Sequence, residues 1–262
     1  MDELLVSQDA WLLSLTLAVL MLVAWGLGLR MGRMLRARDR KARWSKFDEA
    51  SLALLGLLLA FTFSMSISRH EDRRTMVIRD SNAIGDFYTC ASLLDEPVRS
   101  KLQNVIRAYA ALRLKAARDT QLDQPGLEAL LVQFQHMQDQ MTELVGEALR
   151  AGTPIAVPLT STLNQVASVA AERVGAIENR LPAGVAMLLF VSALVAAMLV
   201  GREQGFEEKT ELPATLSFIL LVTLAVYVTL DLNQPQRGLV TVSQAPIERL
   251  VSSMNQPTAP AK

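Results

Sequence analysis

Residues Leu54–Asp80 read "LLGLLLAFTFSMSISRHEDRRTMVIRD", with neither proline nor glycine after Gly56 to separate the apolar beginning from the charged end. The stretch is therefore expected to leave a bilayer as one helix and to continue as a charged rod to about Leu94. Hydroxyls mark its middle at Thr62, Ser64, Ser66 and Ser68. At about 100° per residue they sort into faces. Gly56, Ala60 and Ser64, joined by Ala53, form a small-xxx-small surface suited to close helix packing. Thr62, Ser66, Arg69 and Arg73 share a second face, and Leu59, Phe63 and Ile67 run beside it. Phe61 and Met65 take the remaining sector. Two readings of the hydroxyl face stay open. Thr62 and Ser66 either bond back to carbonyls four residues earlier, or line a water-filled path where copies meet around an axis. In the second reading Leu59, Phe63 and Ile67 form a hydrophobic constriction, with Arg69 and Arg73 as a positive mouth favouring anions.

Three further apolar segments are long enough to cross a ~30 Å hydrocarbon core: Ala10–Leu29, Pro182–Val200 and Leu212–Leu230, beside Leu52–Ser68. The first follows an acidic leader, "MDELLVSQD", and precedes a basic cluster, which describes a retained helix and not a cleaved signal. Trp11 and Trp25 lie near its ends, where an aromatic belt would place them. The 262 residues are 51% hydrophobic and 20% charged, with zero formal net charge. That balance gives no sign of a nucleic-acid binder, which shows a basic excess. One cysteine, Cys90, forms no intramolecular disulfide, and His70 and His136 stand far apart, so no metal or cofactor is expected.

Residues 69–181 read as helix throughout and are expected to form an extramembrane antiparallel four-helix bundle inserted between spans two and three. Asp95-Glu96-Pro97 looks like an N-cap and first turn. The seams that follow are Val98, Leu102, Val105, Tyr109, Leu112 and Ala116, then Leu127, Leu130, Phe134, Met137, Met141, Leu144 and Ala148. The third is Leu159, Leu163, Val166, Ala170, Val174 and Ile177. The fold class is thus all-α, divided as 1–68, 69–181, 182–230 and a tail at 231–262. Asp80 lies on the line of Val77, Ile84 and Phe87. Buried there, it would need Arg107 or Arg113 as partner; on a slightly rotated helix it would meet solvent.

The loop 30–49 carries Arg30, Arg33, Arg36, Arg38, Arg40, Lys41, Arg43 and Lys46 against few acids. The positive-inside rule places it in the cytoplasm, with the N-terminus, bundle and tail outside. In the tail, "LVTVS" alternates like a short strand, and "NQPTAPAK" reads as disordered. Asp231, Pro235, Arg237 and Gly238 punctuate the turn after the last span. Asp231 and Arg237 are placed to tether the tail to Arg69 or Glu71.

Three segments, "ALLGLLLAFTFSMSISRHEDRR", "SNAIGDFYTCASLL" and "DLNQPQRGLVTVSQAPI", together resemble a bacterial membrane family labelled bestrophin-like. The shared features fall on Leu54–Ser64, Asn82–Gly85 and Pro235–Gly238, the last with Gln236 between Pro and Arg. A more distant similarity links the layout to true bestrophins, pentameric anion channels with four spans per subunit and a hydrophobic neck on the second. That resemblance implies a homo-oligomer, with a pentamer favoured, that passes chloride or other small anions across a lipid bilayer, in a bacterial inner (plasma) membrane. Leu59, Phe63 and Ile67 match the neck by spacing. No acidic cluster resembles the bestrophin calcium clasp, and the bestrophin helical region is cytoplasmic, opposite to the placement the basic loop gives here.

The function expected is therefore an anion channel with the second span innermost. The alternative is a membrane-anchored sensor or scaffold that binds a ligand or partner through its bundle. No Gly-rich phosphate loop, nucleophile elbow or paired carboxylate motif points to an enzyme, so no catalytic residue is assigned.

Overall fold

The computed structural model describes residues 10–38, 46–119, 124–178, 182–207, 211–233 and 240–256. Among them the regular structure is helical: α1 (Ala10–Arg38), α2 (Lys46–Ser92), α3 (Val98–Arg118), α4 (Gln124–Arg150), α5 (Ala156–Glu178), α6 (Ala183–Glu207), α7 (Leu212–Leu232) and α8 (Ala245–Met254). Pro235, Arg237, Gly238 and the end from residue 257 lie outside the described residues. By length and composition α1, α2, α6 and α7 can each cross a membrane. The chain is an all-α, multi-pass membrane protein.

Two compact units divide it, Met1–His70 with Arg180–Thr241 and Glu71–Asn179 with Val242–Lys262. The first unit packs Leu17 and Met21 of α1, Leu55 of α2, Leu189 and Ala193 of α6, and Val222 and Val226 of α7 into one apolar core. Its outer surface keeps Leu15, Val19, Leu27, Leu220 and Leu221 exposed. In water such a surface would be a liability; against lipid it costs nothing.

The tightest packing joins α1 to α6 through two glycine pairs. A Cβ added to Gly28 would lie 2.1 Å from the Met198 carbonyl oxygen, and one on Gly32 would lie 2.0 Å from that of Arg202. Reciprocally, Gly201 faces the Trp25 carbonyl at 2.1 Å and Gly205 that of Leu29 at 2.2 Å. The contacts climb both helices in the same sense, so α1 and α6 run parallel. This agrees with a first and third crossing in one direction.

The second unit buries Phe87 of α2, Leu102, Ile106 and Tyr109 of α3, Met141 of α4, and Leu159 and Val166 of α5. Ile247 and Met254 of α8 belong to the same core. Here the structure corrects the expected strand in "LVTVS". Residues 241–244 are irregular and lead into α8, started by Pro246. A lone strand would leave its backbone groups without a ladder, whereas "APIERLVSSM" buries an apolar face at helical spacing.

With α8 against it, α3 meets more than one neighbour and buries a wider face than a single seam. Leu102 and Tyr109 are buried as expected, but Ile106, Ala110 and Arg113 complete the set, while Leu112 and Ala116 are only half-buried. On α4 the seam holds at Met141 and Ala148, but Leu127 is exposed. The N-cap position of α3 is Pro97, which offers no side-chain cap, and the first turn is bonded instead by Glu96. Its carboxylate accepts the Ser100 N–H at 3.3 Å and the Ser100 hydroxyl at 2.6 Å.

Candidate functional site

The buried positions of α2 include Asp48, Leu55, Thr62, Ser66, Arg73, Val77, Asp80, Ile84 and Phe87. Their spacings of seven, four and three draw one stripe down a single helix. The stripe passes through the face that the sequence marked with hydroxyls and arginines. Thr62 and Ser66 are 4% and 0% exposed in a single chain. Thr62 Oγ1 donates to the carbonyls of Leu58 at 2.8 Å and Leu59 at 3.1 Å, satisfying itself inside its own helix. Ser66 does not: its Oγ is buried with no hydrogen-bond partner among the described residues. Arg69 Nη1, one turn further, is in the same condition. Two buried donors lacking an acceptor therefore sit one turn apart.

The neighbouring line differs. Phe63 and Ile67 are 38% and 41% exposed, and Leu59 is half-buried against the first unit's core. The seven residues read as one pore-lining strip thus divide. Thr62, Ser66 and Arg73 turn into the chain, whereas Phe63 and Ile67 turn out. Sequence reasoning merged the two lines because they lie next to each other on a wheel, and only a neighbouring helix decides which is covered.

The small-residue face stands open in the single chain. Ala53, Gly56, Ala60 and Ser64 are all exposed, and a Cβ on Gly56 would meet nothing within 4 Å. No other described helix of the chain packs there. Close approach occurs at Gly28, Gly32, Gly201 and Gly205, whose i, i+4 spacing in "GLGLRMG" and "GREQG" is the sequence signal that could have found them.

Polar bonds tie the first unit near the same glycines. Trp25 Nε1 donates to Gln204 Oε1 at 3.1 Å, and Gln204 Nε2 donates to Thr215 Oγ1 at 2.7 Å. Arg202 pairs with the buried carboxylate of Asp48. After α7, the buried Asp231 carboxylate accepts the Val240 N–H at 3.0 Å and so holds the start of the tail. Among the described residues no ion pair joins Arg69 to Asp231, and Glu71 meets Arg74 at 3.5 Å.

The second unit holds a buried charge cluster. Asp80 Oδ2 lies 2.6 Å from Arg173 Nη1 and 3.8 Å from Arg113 Nε. Arg113 was one of the two partners expected. Arg173, the nearer one, was missed because α5 was read for its apolar seam alone. Arg107 instead bonds Tyr88 Oη and the Met254 carbonyl, which fixes the end of α8. Arg113 stacks over Phe134 at 4.5 Å and Tyr109 at 5.2 Å, and donates to Tyr109 Oη at 2.9 Å. Burial pushes the Arg173 guanidinium below its ordinary pKa, with Asp80 acting against that and Arg113 adding to it.

Four helices able to cross a membrane, with a separate helical unit, define a class of polytopic membrane protein. A family model described as a Bestrophin-like domain matches residues 15–247, and the chain belongs to that family. The fold resembles the crystal structure of a bacterial bestrophin homolog from Klebsiella pneumoniae that carries a tryptophan-to-alanine mutation. The TM-score is 0.66 at 13% identity, over 89% of this chain and 93% of that one. No curated protein matches the sequence.

Proposed function

We propose that this chain is one subunit of a homo-oligomeric membrane channel conducting small anions, with the second crossing, on α2, lining the pore. Family membership and a fold likeness spanning most of both chains support a channel-like protein. The observation that carries the finer reading is the exposed line of Phe63 and Ile67, one turn apart and flanked by Leu59. Ringed around an axis, such a line forms an apolar constriction. Arg69 then stands at its mouth, with a buried Nη1 that lacks an acceptor among the described residues. Thr62, Ser66 and Arg73 form the row behind the constriction. The open face of Ala53, Gly56, Ala60 and Ser64 is where an adjoining copy can approach. Five copies is the number the bestrophin resemblance implies, and the basic loop 30–49 favours a cytoplasmic position for itself, in a bacterial inner membrane.

Reconstituted Phe63→Ala protein is expected to pass chloride faster than the parent, measured as flux from loaded liposomes. Unchanged flux from active protein rejects the neck. A protomer count in nanodiscs tests the shared axis; a monomer would leave the sensor or scaffold reading in its place.

A further inference from the structure

Within the second unit, α8 lies against the Glu71–Ser92 portion of α2, where the Ser81 hydroxyl donates to the Pro246 carbonyl at 3.1 Å. Beside that bond opens a pocket of about 420 Å³. One wall comes from α2, which presents Arg74, Ile78 and Asn82, four residues apart and so on one face. The other wall comes from the tail, with Ser243 just ahead of α8 and Arg249 one turn inside it.

The charge of this pocket is one-sided. Among the described residues no carboxylate lines it. Arg249 has no ion-pair partner among the described residues, since its chain neighbour Glu248 is taken by Arg118 at 2.6 Å. Arg74 touches only Glu71, at 3.5 Å and with both side chains more than half exposed, a type of pair that holds its members weakly. Two guanidiniums from separate helices therefore face one hollow with an amide and a hydroxyl between them. Forked donors of this kind match the oxygens of a phosphate group, which can accept from both at once. The apolar side of the hollow, Ile78 with Pro246, leaves room for the organic part of such a ligand.

We propose that this pocket binds a phosphate-bearing organic anion. Two sources share that chemistry. A soluble phosphomonoester can enter from water, because the hollow is open on one side. An anionic phospholipid headgroup can also reach it. Arg74 is six residues beyond Ser68, the last residue of the apolar segment, or about 9 Å along the helix at 1.5 Å per residue. Headgroup layers extend roughly 5–8 Å beyond the hydrocarbon. The proposal is independent of the channel reading, because its test reads binding and not flux.

The test uses the full chain. Glycerol 3-phosphate is titrated into protein in neutral detergent by calorimetry. Separately, retention of phosphatidylglycerol is read by native mass spectrometry after transfer from nanodiscs of phosphatidylcholine with phosphatidylglycerol. The expected result is binding in at least one arm, weakened tenfold or more in Arg74→Gln/Arg249→Gln and only partly restored by lysine at both positions. Arg99→Gln, at an exposed arginine bound to Glu96 elsewhere in the unit, should leave it unchanged. Binding of glycerol 3-phosphate assigns a soluble ligand, and retention of the lipid alone assigns a headgroup. If the double variant melts early, Ser243→Glu, which adds a carboxylate at an exposed edge and gives up only the long bond that the Ser243 hydroxyl accepts from the Ala245 N–H at 3.4 Å, should abolish binding in its place. Absence of binding in both arms, or binding equal in parent and variants, overturns the proposal.

Discussion

The two units of this chain reach their closest packing by different means, although the first also buries Leu17 and Met21. In the membrane-crossing unit, α1 and α6 approach through Gly28, Gly32, Gly201 and Gly205 until carbonyls occupy the space where side chains would begin. In the other unit the largest buried side chains are Tyr109, Phe87, Ile84, Leu102 and Ile106, and a charge cluster sits beside them. The difference follows from solvent. Lipid is as apolar as leucine and gives helices no reason to hide large side chains from it, so attraction comes from contact made possible by smallness. Water drives large apolar groups together, and volume does the work. Ionic groups in each unit sit where they can be paired: Asp48 with Arg202 in the first, Asp80 with Arg173 and Arg113 in the second.

Substitutions can break or sharpen that contrast. The largest effect is expected at Asp80→Ala, which strands two arginines and should cost about 3–5 kcal/mol in denaturant unfolding. A loss below about 1 kcal/mol would show that water already compensates them. Next comes Gly32→Val, which forces α1 from α6 and should cost about 2–3 kcal/mol in detergent unfolding. Gly56→Val, at a site open within the single chain, should leave unfolding of the isolated subunit close to neutral and act only on assembly with an adjoining copy. Equal losses at both glycines would remove the argument from close approach. Tyr109→Phe deletes the hydroxyl bound by Arg113 and Gln138 and should cost about 1–2 kcal/mol. Gln204→Leu breaks the Trp25–Thr215 bridge and should cost only about 0.6 kcal/mol, the usual scale of polar bonds between membrane helices.

The smallest effect is a pH one. Hydrogen bonds from Ser100 and then Arg99 hold the Glu96 carboxyl below its ordinary pKa. A lowered folded-state value means that its contribution is present above the usual carboxylate range and is lost as pH falls through the lowered value. Ser100→Ala should raise the Glu96 midpoint in an NMR titration; an unmoved midpoint would assign the shift elsewhere.

The four crossings were legible because long apolar runs have few alternatives in water or lipid. Thr62 was legible too, in its plainer reading, since a hydroxyl on a bilayer helix can always turn back to its own carbonyls. The division of the α2 strip was not. Helical spacing says which residues share a face, and it does not say which face another helix will cover. Gly56 and Gly28 look alike on that criterion, yet one stands open and the other touches backbone. Arg173 was hidden for a related reason, because its partner Asp80 lies far away in sequence. The helix at Ala245–Met254 carried its own signal, Pro246 followed by Ile247, Leu250, Val251 and Met254, but the alternation just before it drew the eye first.

That last helix has a consequence for biogenesis. A ribosome releases α2 through α5 before the third and fourth crossings are made, and Ile247 and Met254 emerge only after them. Until then the nascent second unit is an unsealed vessel, with Ile106 and Phe87 short of their final cover. Membrane insertion of α6 and α7 therefore sets the clock for its completion, and a pause there should lengthen the interval in which chaperones or proteases can seize it.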